Sequence, residues 1–108
     1  MSSTTITRGN SHETFYIQPS ITPSSVATVT TASQTFSVPG LLTTDIVNVL
    51  GYNGSQTAGI FIAESDCLTN NVLSIQFGNV TAGSLTPAAG VYTVQVTRLE
   101  GPAPTNAA

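Results

Sequence analysis

A strict alternation of apolar and polar residues near the carboxyl-terminal end restricts this part of the chain to β-structure. Within segment 91–99, the apolar residues take every second place from Tyr92 to Thr97, and the residues between them are neutral and polar. Successive side chains of a strand point to opposite sides of a sheet, so the pattern predicts one buried and one exposed face. The two sets are Tyr92, Val94 and Val96, and Thr93, Gln95 and Thr97. No segment of the chain repeats its apolar residues at helical spacing.

Other short segments also favour strands, and turn signals separate them. Pro39-Gly40 and Asn53-Gly54 are typical turn dipeptides, and Asn70-Asn71 can adopt the left-handed conformations of a tight turn. The segments are 14–18, 26–29 (weakly), 34–38, 45–50, 59–63 and 72–77. Many short strands with frequent turns predict an all-β fold, a single antiparallel β-sandwich or small barrel with an extended N-terminal arm.

The pattern also predicts which residues form the core. The apolar residues of segment 45–50 fall on both faces, which is typical of a strand near the centre of a sheet. Segment 59–63 is predicted to be a buried strand, and 78–90 a long loop. Four aromatic residues fall on strand positions and are predicted to be buried: Phe36, Phe61, Phe77 and Tyr92.

Three regions are expected along the 108 residues. Residues 1–30 form a polar N-terminal arm, 31–99 the β-sandwich domain, and 100–108 a C-terminal tail that is extended or frayed. The first dozen residues are either disordered or an arm that becomes ordered against a neighbouring subunit. The start of the chain lacks the basic and apolar regions of a signal peptide.

Charge is scarce, and this excludes several kinds of partner. Charged residues make up 6% of the chain, against about 25% in an ordinary soluble domain, and the net charge is −3. Two arginines and no lysine cannot neutralise a phosphate backbone or attract an anionic membrane, so we expect no nucleic-acid partner and no membrane partner. Twelve serines and eighteen threonines supply a neutral, hydrogen-bonding surface instead. Such a surface suits a subunit that packs against other subunits.

The candidates for catalysis and metal binding are few, so we expect no enzyme, no catalytic residue and no cofactor. His12 is the one histidine and lies in the predicted arm, where a general base would be poorly held. Cys67 follows Asp66, whose charge disfavours a thiolate, so an inert cysteine is expected. One metal hypothesis stays open: three copies of His12 could bind a transition metal on a three-fold axis, which chelation would test.

Two further groups of residues have alternative interpretations. Glu64 and Asp66 would point to the same side of a strand and could serve glycoside cleavage, or hold calcium together with Asn70. A solvated loop rim is the simpler interpretation, and it is the one we favour. Tyr52, beside Asn53, could stack on a sugar or contact a protein, or it could be an ordinary exposed loop tyrosine.

An ordered series of motifs in residues 34–98 resembles a family of small β-domains found on the virions of tailed bacteriophages. Each motif alone is generic strand and turn, and the specificity lies in their order. The series contains Phe36-Ser37-Val38-Pro39-Gly40-Leu41, Asp45-Ile46-Val47, Gly59-Ile60-Phe61-Ile62-Ala63, Asn71-Val72-Leu73-Ser74-Ile75-Gln76-Phe77-Gly78-Asn79, Thr81-Ala82-Gly83-Ser84-Leu85-Thr86-Pro87 and Gly90-Val91-Tyr92-Thr93-Val94-Gln95-Val96-Thr97-Arg98.

The resemblance implies a non-enzymatic structural protein of the virion. Members of this family are sandwich-like, are often trimeric, and serve as head decoration (cement) proteins or as parts of fibres and spikes. A stand-alone domain without a shaft repeat suits a decoration protein that binds the major capsid protein on the outer surface of the head, as a homotrimer whose arm crosses its neighbours. The alternative is a receptor- or carbohydrate-binding fibre or spike tip domain, which would use Tyr52, Asn53 and the loop 78–90.

Overall fold

The structure, a computed structural model, describes residues 11–100. Within this range all the regular secondary structure consists of antiparallel strands. The strong alternation near the carboxyl-terminal end forms the last and joint longest strand. In chain order the strands are β1 (Ser11–Ile17), β2 (Ser20–Ile21), β3 (Thr30–Ser37), β4 (Ile46–Tyr52), β5 (Ile60–Thr69), β6 (Val72–Asn79) and β7 (Gly90–Leu99).

The strands form two antiparallel sheets that pack as a sandwich, which confirms the predicted fold class. In the first sheet β7 is central and pairs with β4 on one side and with β1 and β2 on the other. Strands β1 and β2 keep one register against β7, so they act as a single strand interrupted at Gln18 and Pro19. In the second sheet β6 is central, between β3 and β5.

The core lies between the two central strands. Phe77 of β6 and Tyr92 of β7 are fully buried and meet edge to face, with ring centroids 6.2 Å apart. The Tyr92 hydroxyl donates to the Ala88 carbonyl oxygen at 2.6 Å and accepts from Gln56 Nε2 at 2.9 Å. Burial raises the pKa of this phenol above its ordinary value. The inward residues of the alternation, together with Leu73 and Ile75, complete the centre of the core.

The predicted boundary between an arm and the sandwich at residue 30 requires correction. Strands β1 and β2 both pair with β7, and Ile21 and Val26 are buried in the core. The sandwich therefore begins no later than Ser11, since these residues gain apolar burial and backbone hydrogen bonds within the same subunit. The rest of the predicted arm, residues 1–10, and nearly all of the predicted tail, residues 101–108, lie outside the described residues.

Two predictions about burial were wrong. Strand β4 lies at the edge of its sheet rather than near the centre, and no other layer of the described residues covers its outer face, so Ile46 and Leu50 are exposed while Val47 and Val49 are buried. In β5, predicted to be a buried strand, Phe61 is 45% exposed because its ring lies on the outer surface of the second sheet against Gly78. Period-two patterns assign residues to faces, but they do not say which faces another layer covers.

The predicted turns were partly correct. Asn71 adopts a left-handed conformation (φ 69°) in the hairpin between β5 and β6, as expected for an Asn-Asn turn. Asn53 and Gly54 do not make a tight hairpin; they form a bend after β4, and the chain continues to Gly59 before β5 begins. The loop 78–90 is shorter than predicted, since β6 extends to Asn79 and Leu85 forms a bridge with Val26.

Candidate interaction surface

The outer face of the first sheet is built from neutral side chains of β1, β4 and β7, together with Gln18, which follows β1. These are the residues that alternate with the buried ones, so the same period-two pattern that builds the core also builds this surface. We call it the neutral face. It consists of Thr14, Tyr16, Gln18, Ile46, Asn48, Leu50, Val91, Thr93, Gln95 and Thr97.

Four large apolar side chains interrupt the polar ones on the neutral face. Tyr16, Ile46 and Leu50 expose 61%, 53% and 55% of their surface, and Val91 exposes 37%. Single exposed apolar residues are common on proteins, but a group of them on one uncharged sheet face is typical of a surface that contacts another molecule. The neutral face can thus bury apolar area without burying a charge.

Hydrogen bonds between neighbouring side chains organise the neutral face. Gln95 Nε2 donates to the Tyr16 hydroxyl at 3.5 Å, and the hydroxyl groups of Thr14 and Thr97 lie 3.3 Å apart. Gln18 Nε2 donates to Thr93 Oγ1 at 3.4 Å. Side chains that already contact one another lose less conformational freedom when a partner binds, so this surface is partly pre-organised.

An ion pair fixes one end of the first sheet. Arg98 Nε donates to Asp45 Oδ1 at 2.9 Å and its Nη2 to Oδ2 at 2.8 Å, while the buried carboxylate also accepts from the Leu42 amide at 3.0 Å. The Arg98 guanidinium further donates to the Gly40 carbonyl oxygen and lies 5.4 Å from the centre of the Phe15 ring. The pair therefore joins β7, the turn before β4, and β1.

Both members of this pair are held in their charged forms. The hydrogen bonds from Arg98 hold the pKa of the Asp45 carboxyl below its ordinary value of 3.8, against the opposing effect of burial. The same contact raises the pKa of the Arg98 guanidinium. The sequence did not predict that Asp45 and Arg98 pair. The available signal was that each is an isolated charged residue next to a segment predicted to be a strand.

The free edge of β4 is covered by a side chain from the other sheet. Ser65 Oγ donates to the Val47 carbonyl oxygen at 3.2 Å and accepts from the Val49 amide at 3.3 Å. These are backbone groups that an added strand would otherwise pair with. Contact with another molecule at this sheet is therefore directed to its face rather than to the β4 edge.

The outer face of the second sheet carries the two carboxylates that the sequence singled out. Glu64 and Asp66 point to the same side of β5, as predicted, and line a depression of about 210 Å³. We call this surface the acidic face; it consists of Ser33, Glu64, Asp66, Leu68, Ser74 and Gln76. Asn70 does not join them, because its side-chain oxygen accepts from the Thr43 amide at 3.0 Å.

The other candidate residues are dispersed. His12 is exposed in β1, and Cys67 is buried with its thiol donating to the Thr69 carbonyl oxygen. Within residues 11–100, no three His, Cys, Asp or Glu side chains come together as metal ligands would. The proposed three-fold site at His12 involves further copies of the chain and stays a hypothesis.

Tyr52 and its neighbours are held within the fold. The Tyr52 hydroxyl donates to the Ala89 carbonyl oxygen at 3.2 Å, and its ring lies 5.2 Å from the Tyr92 ring and against Gly54 and Gly90. The loop after β6 is fixed by Asn79, whose side chain donates to the carbonyl oxygens of Val26 and Gly83 and accepts from Thr81. Sequence reasoning missed this structural role of Asn79.

No protein-family model matches the chain, and neither a curated protein nor a solved structure matches it. Residues 11–100 contain no helix long and apolar enough to cross a membrane.

Proposed function

We propose that the protein is a non-enzymatic structural component of a tailed-bacteriophage virion, a decoration (cement) protein that binds the major capsid protein on the outer surface of the head and stabilises the shell. The resemblance of residues 34–98 to small virion β-domains supports this proposal. The observation that carries it further is the neutral face, with its exposed apolar residues and its absence of charge among the described residues.

The chemistry of the neutral face suits attachment to a large protein lattice. Burying a charge without a partner is costly, whereas burying Tyr16, Ile46 and Leu50 is favourable and leaves the neighbouring amides and hydroxyls able to form hydrogen bonds. Each contact is small, but many copies bound to a symmetric shell add up their contributions. An uncharged interface also predicts that binding depends little on salt concentration.

We further propose that the protein binds as a homotrimer and that the exposed apolar residues of the strand faces contribute to contacts between subunits. The acidic face is a poor surface to place around a three-fold axis, because Glu64 and Asp66 would there approach their counterparts in the other two subunits. The neutral face has no such repulsion, so a part of it that the capsid leaves uncovered can contact a neighbouring subunit.

The test is co-sedimentation of the full chain with mature heads of the phage that encodes it, over a range of salt concentrations. Two glutamines provide a matched pair of variants, since both lie on the outer side of a central strand and both donate to a neighbouring hydroxyl. Gln95→Glu puts a charge on the neutral face, and Gln76→Glu puts the same charge on the acidic face.

Binding of the unmodified chain is expected to change little with salt. We expect Gln95→Glu to weaken binding by roughly tenfold or more, because the new carboxylate would be buried without a partner, and Gln76→Glu to bind normally. Circular dichroism of both variants checks that they fold. Absence of co-sedimentation would contradict the proposal, and glycan-array binding without capsid binding would favour the carbohydrate-binding tip domain. Light scattering of the free protein tests the trimer.

A further inference from the structure

Asn53 is followed by a glycine in an exposed bend, immediately after the end of β4. Both Asn53 and Gly54 are solvent-exposed. An asparagine side chain can be attacked by the backbone nitrogen of the next residue, and a glycine in that position has no Cβ to obstruct the approach. The reaction in the folded protein therefore requires that the Gly54 nitrogen is not held in a hydrogen bond.

The folded structure distinguishes Asn53 from other asparagines by the state of the following amide. The amides after Asn48, Asn70 and Asn79 are all engaged: they donate to Ser65 Oγ at 3.3 Å, to the Leu41 carbonyl oxygen at 2.7 Å and to the Gly59 carbonyl oxygen at 3.0 Å. Within residues 11–100, the Gly54 amide has no such acceptor. Its nitrogen is therefore free to act as a nucleophile.

The side-chain carbonyl group of Asn53 is also prepared for attack. Thr93 Oγ1 donates to Asn53 Oδ1 at 2.6 Å, and Gln18 Nε2 donates in turn to Thr93 Oγ1. Negative charge develops on Oδ1 when a nucleophile adds to the carbon that bears it. A hydrogen-bond donor already aimed at that oxygen stabilises the tetrahedral intermediate.

We infer that Asn53-Gly54 is a site of spontaneous, water-dependent modification of the folded protein. The Gly54 nitrogen forms a bond to Asn53 Cγ, the bond from Cγ to the side-chain nitrogen breaks, and ammonia leaves with the proton that Gly54 gave up. The product is a cyclic imide. Water then opens the ring at either carbonyl group, which yields aspartate or its β-linked isomer and adds a carboxylate to the chain.

The new charge would arise at the border of the neutral face, because the modified side chain is the one that Thr93 contacts. If the neutral face binds the capsid, as proposed above, modified protein should bind more weakly than fresh protein. This consequence rests on the proposed function. The modification itself does not, and it is measured on the free chain.

The experiment is incubation of the full folded chain at mildly alkaline pH, followed by mass spectrometry with fragmentation to locate the modified residue. We expect Asn53 to convert roughly tenfold or more faster than any of Asn48, Asn70, Asn71 and Asn79, since it alone precedes glycine. A short peptide containing Tyr52-Asn53-Gly54-Ser55 gives the rate without the fold. An unchanged Asn53 after the peptide has fully converted would overturn the inference, as would equal modification of the other asparagines.

Two substitutions at Thr93 test the assigned donor. Thr93→Val removes the hydroxyl group and should slow the conversion of Asn53 in the folded chain, while Thr93→Ser keeps a donor and should retain the faster rate. Faster conversion in Thr93→Val would show that Thr93 restrains the side chain instead, and would overturn its role as activator. Asn53→Asp, compared with the unmodified chain in co-sedimentation, tests the consequence for capsid binding separately.

Discussion

The two outer faces of the sandwich are built alike and differ in charge. Each lies on a sheet whose central strand is paired on both sides. A glutamine faces outward from that central strand, Gln95 in the first sheet and Gln76 in the second. The first face combines neutral polar groups with exposed apolar residues. The second carries Glu64 and Asp66 around a depression.

The difference lies in where each sheet keeps its charges. In the first sheet Asp45 and Arg98 neutralise each other at one end, with Asp45 buried, and the exposed Glu13 of β1 lies opposite Arg98 rather than among the residues of the neutral face. The carboxylates of the second sheet remain at the surface. Two sheets made from similar residues can thus present one face suited to contact and one suited to solvent.

The largest effect on stability is expected from removing the charge of the buried Asp45. Asp45→Asn should lower the free energy of unfolding by about 2–3 kcal/mol, because Arg98 loses its partner. Urea unfolding measures this, and Glu64→Gln, which removes an exposed carboxylate, is the matched control that should unfold almost normally. Equal stabilities of the two variants would break the contrast between the sheets.

The same ion pair predicts how stability depends on pH. The pKa of Asp45 in the folded protein lies below the ordinary value of 3.8, so the unfolded chain binds this proton more readily than the folded one. The contribution of Asp45 is complete above pH 3.8 and is lost as the pH falls through the lower pKa of the folded state. Acid titration of unfolding should therefore show a loss of stability there that Asp45→Asn lacks; parallel curves would contradict the assignment.

A smaller effect is expected on the second sheet, where Phe61 covers Gly78. A Cβ atom at residue 78 would overlap the Phe61 ring, so Gly78→Ala should displace the ring and destabilise the fold by about 1–2 kcal/mol. Gly83→Ala is the control, since a Cβ there meets no atom within 4 Å. Thermal unfolding compares the two. A Gly78→Ala variant as stable as Gly83→Ala would mean that the aromatic ring does not depend on this glycine.

The smallest effect is expected from neutralising the acidic face. The double variant Glu64→Gln with Asp66→Asn removes two like charges that face the same depression, and should raise stability at low salt by less than about 0.5 kcal/mol. The gain should vanish at high salt, where exposed charges are screened. A large gain that persists in salt would show that these carboxylates strain the sheet.

The sequence predicted the all-β fold because period-two alternation is a local property. In β7 the inward residues are fully buried as predicted, and in β6 Leu73, Ile75 and Phe77 are as well. Several residues that carry the resemblance to virion β-domains have structural roles: Asp45 and Arg98 form the ion pair, Asn79 fixes the loop after β6, and Tyr92 anchors the core. The shared motifs are therefore better evidence for a common fold than for a common function.

What the sequence alone could not predict depended on contacts between distant strands. Alternation placed Ile46, Leu50 and Phe61 on faces, but these residues are exposed because the two sheets pack through their other faces and nothing else among residues 11–100 covers the outer ones. The neutral face exists because β1, β4 and β7, far apart in the chain, lie side by side. Local patterning thus determined the strands and their two sides, whereas only the tertiary structure decided which sides face solvent, because burial depends on which elements pack together.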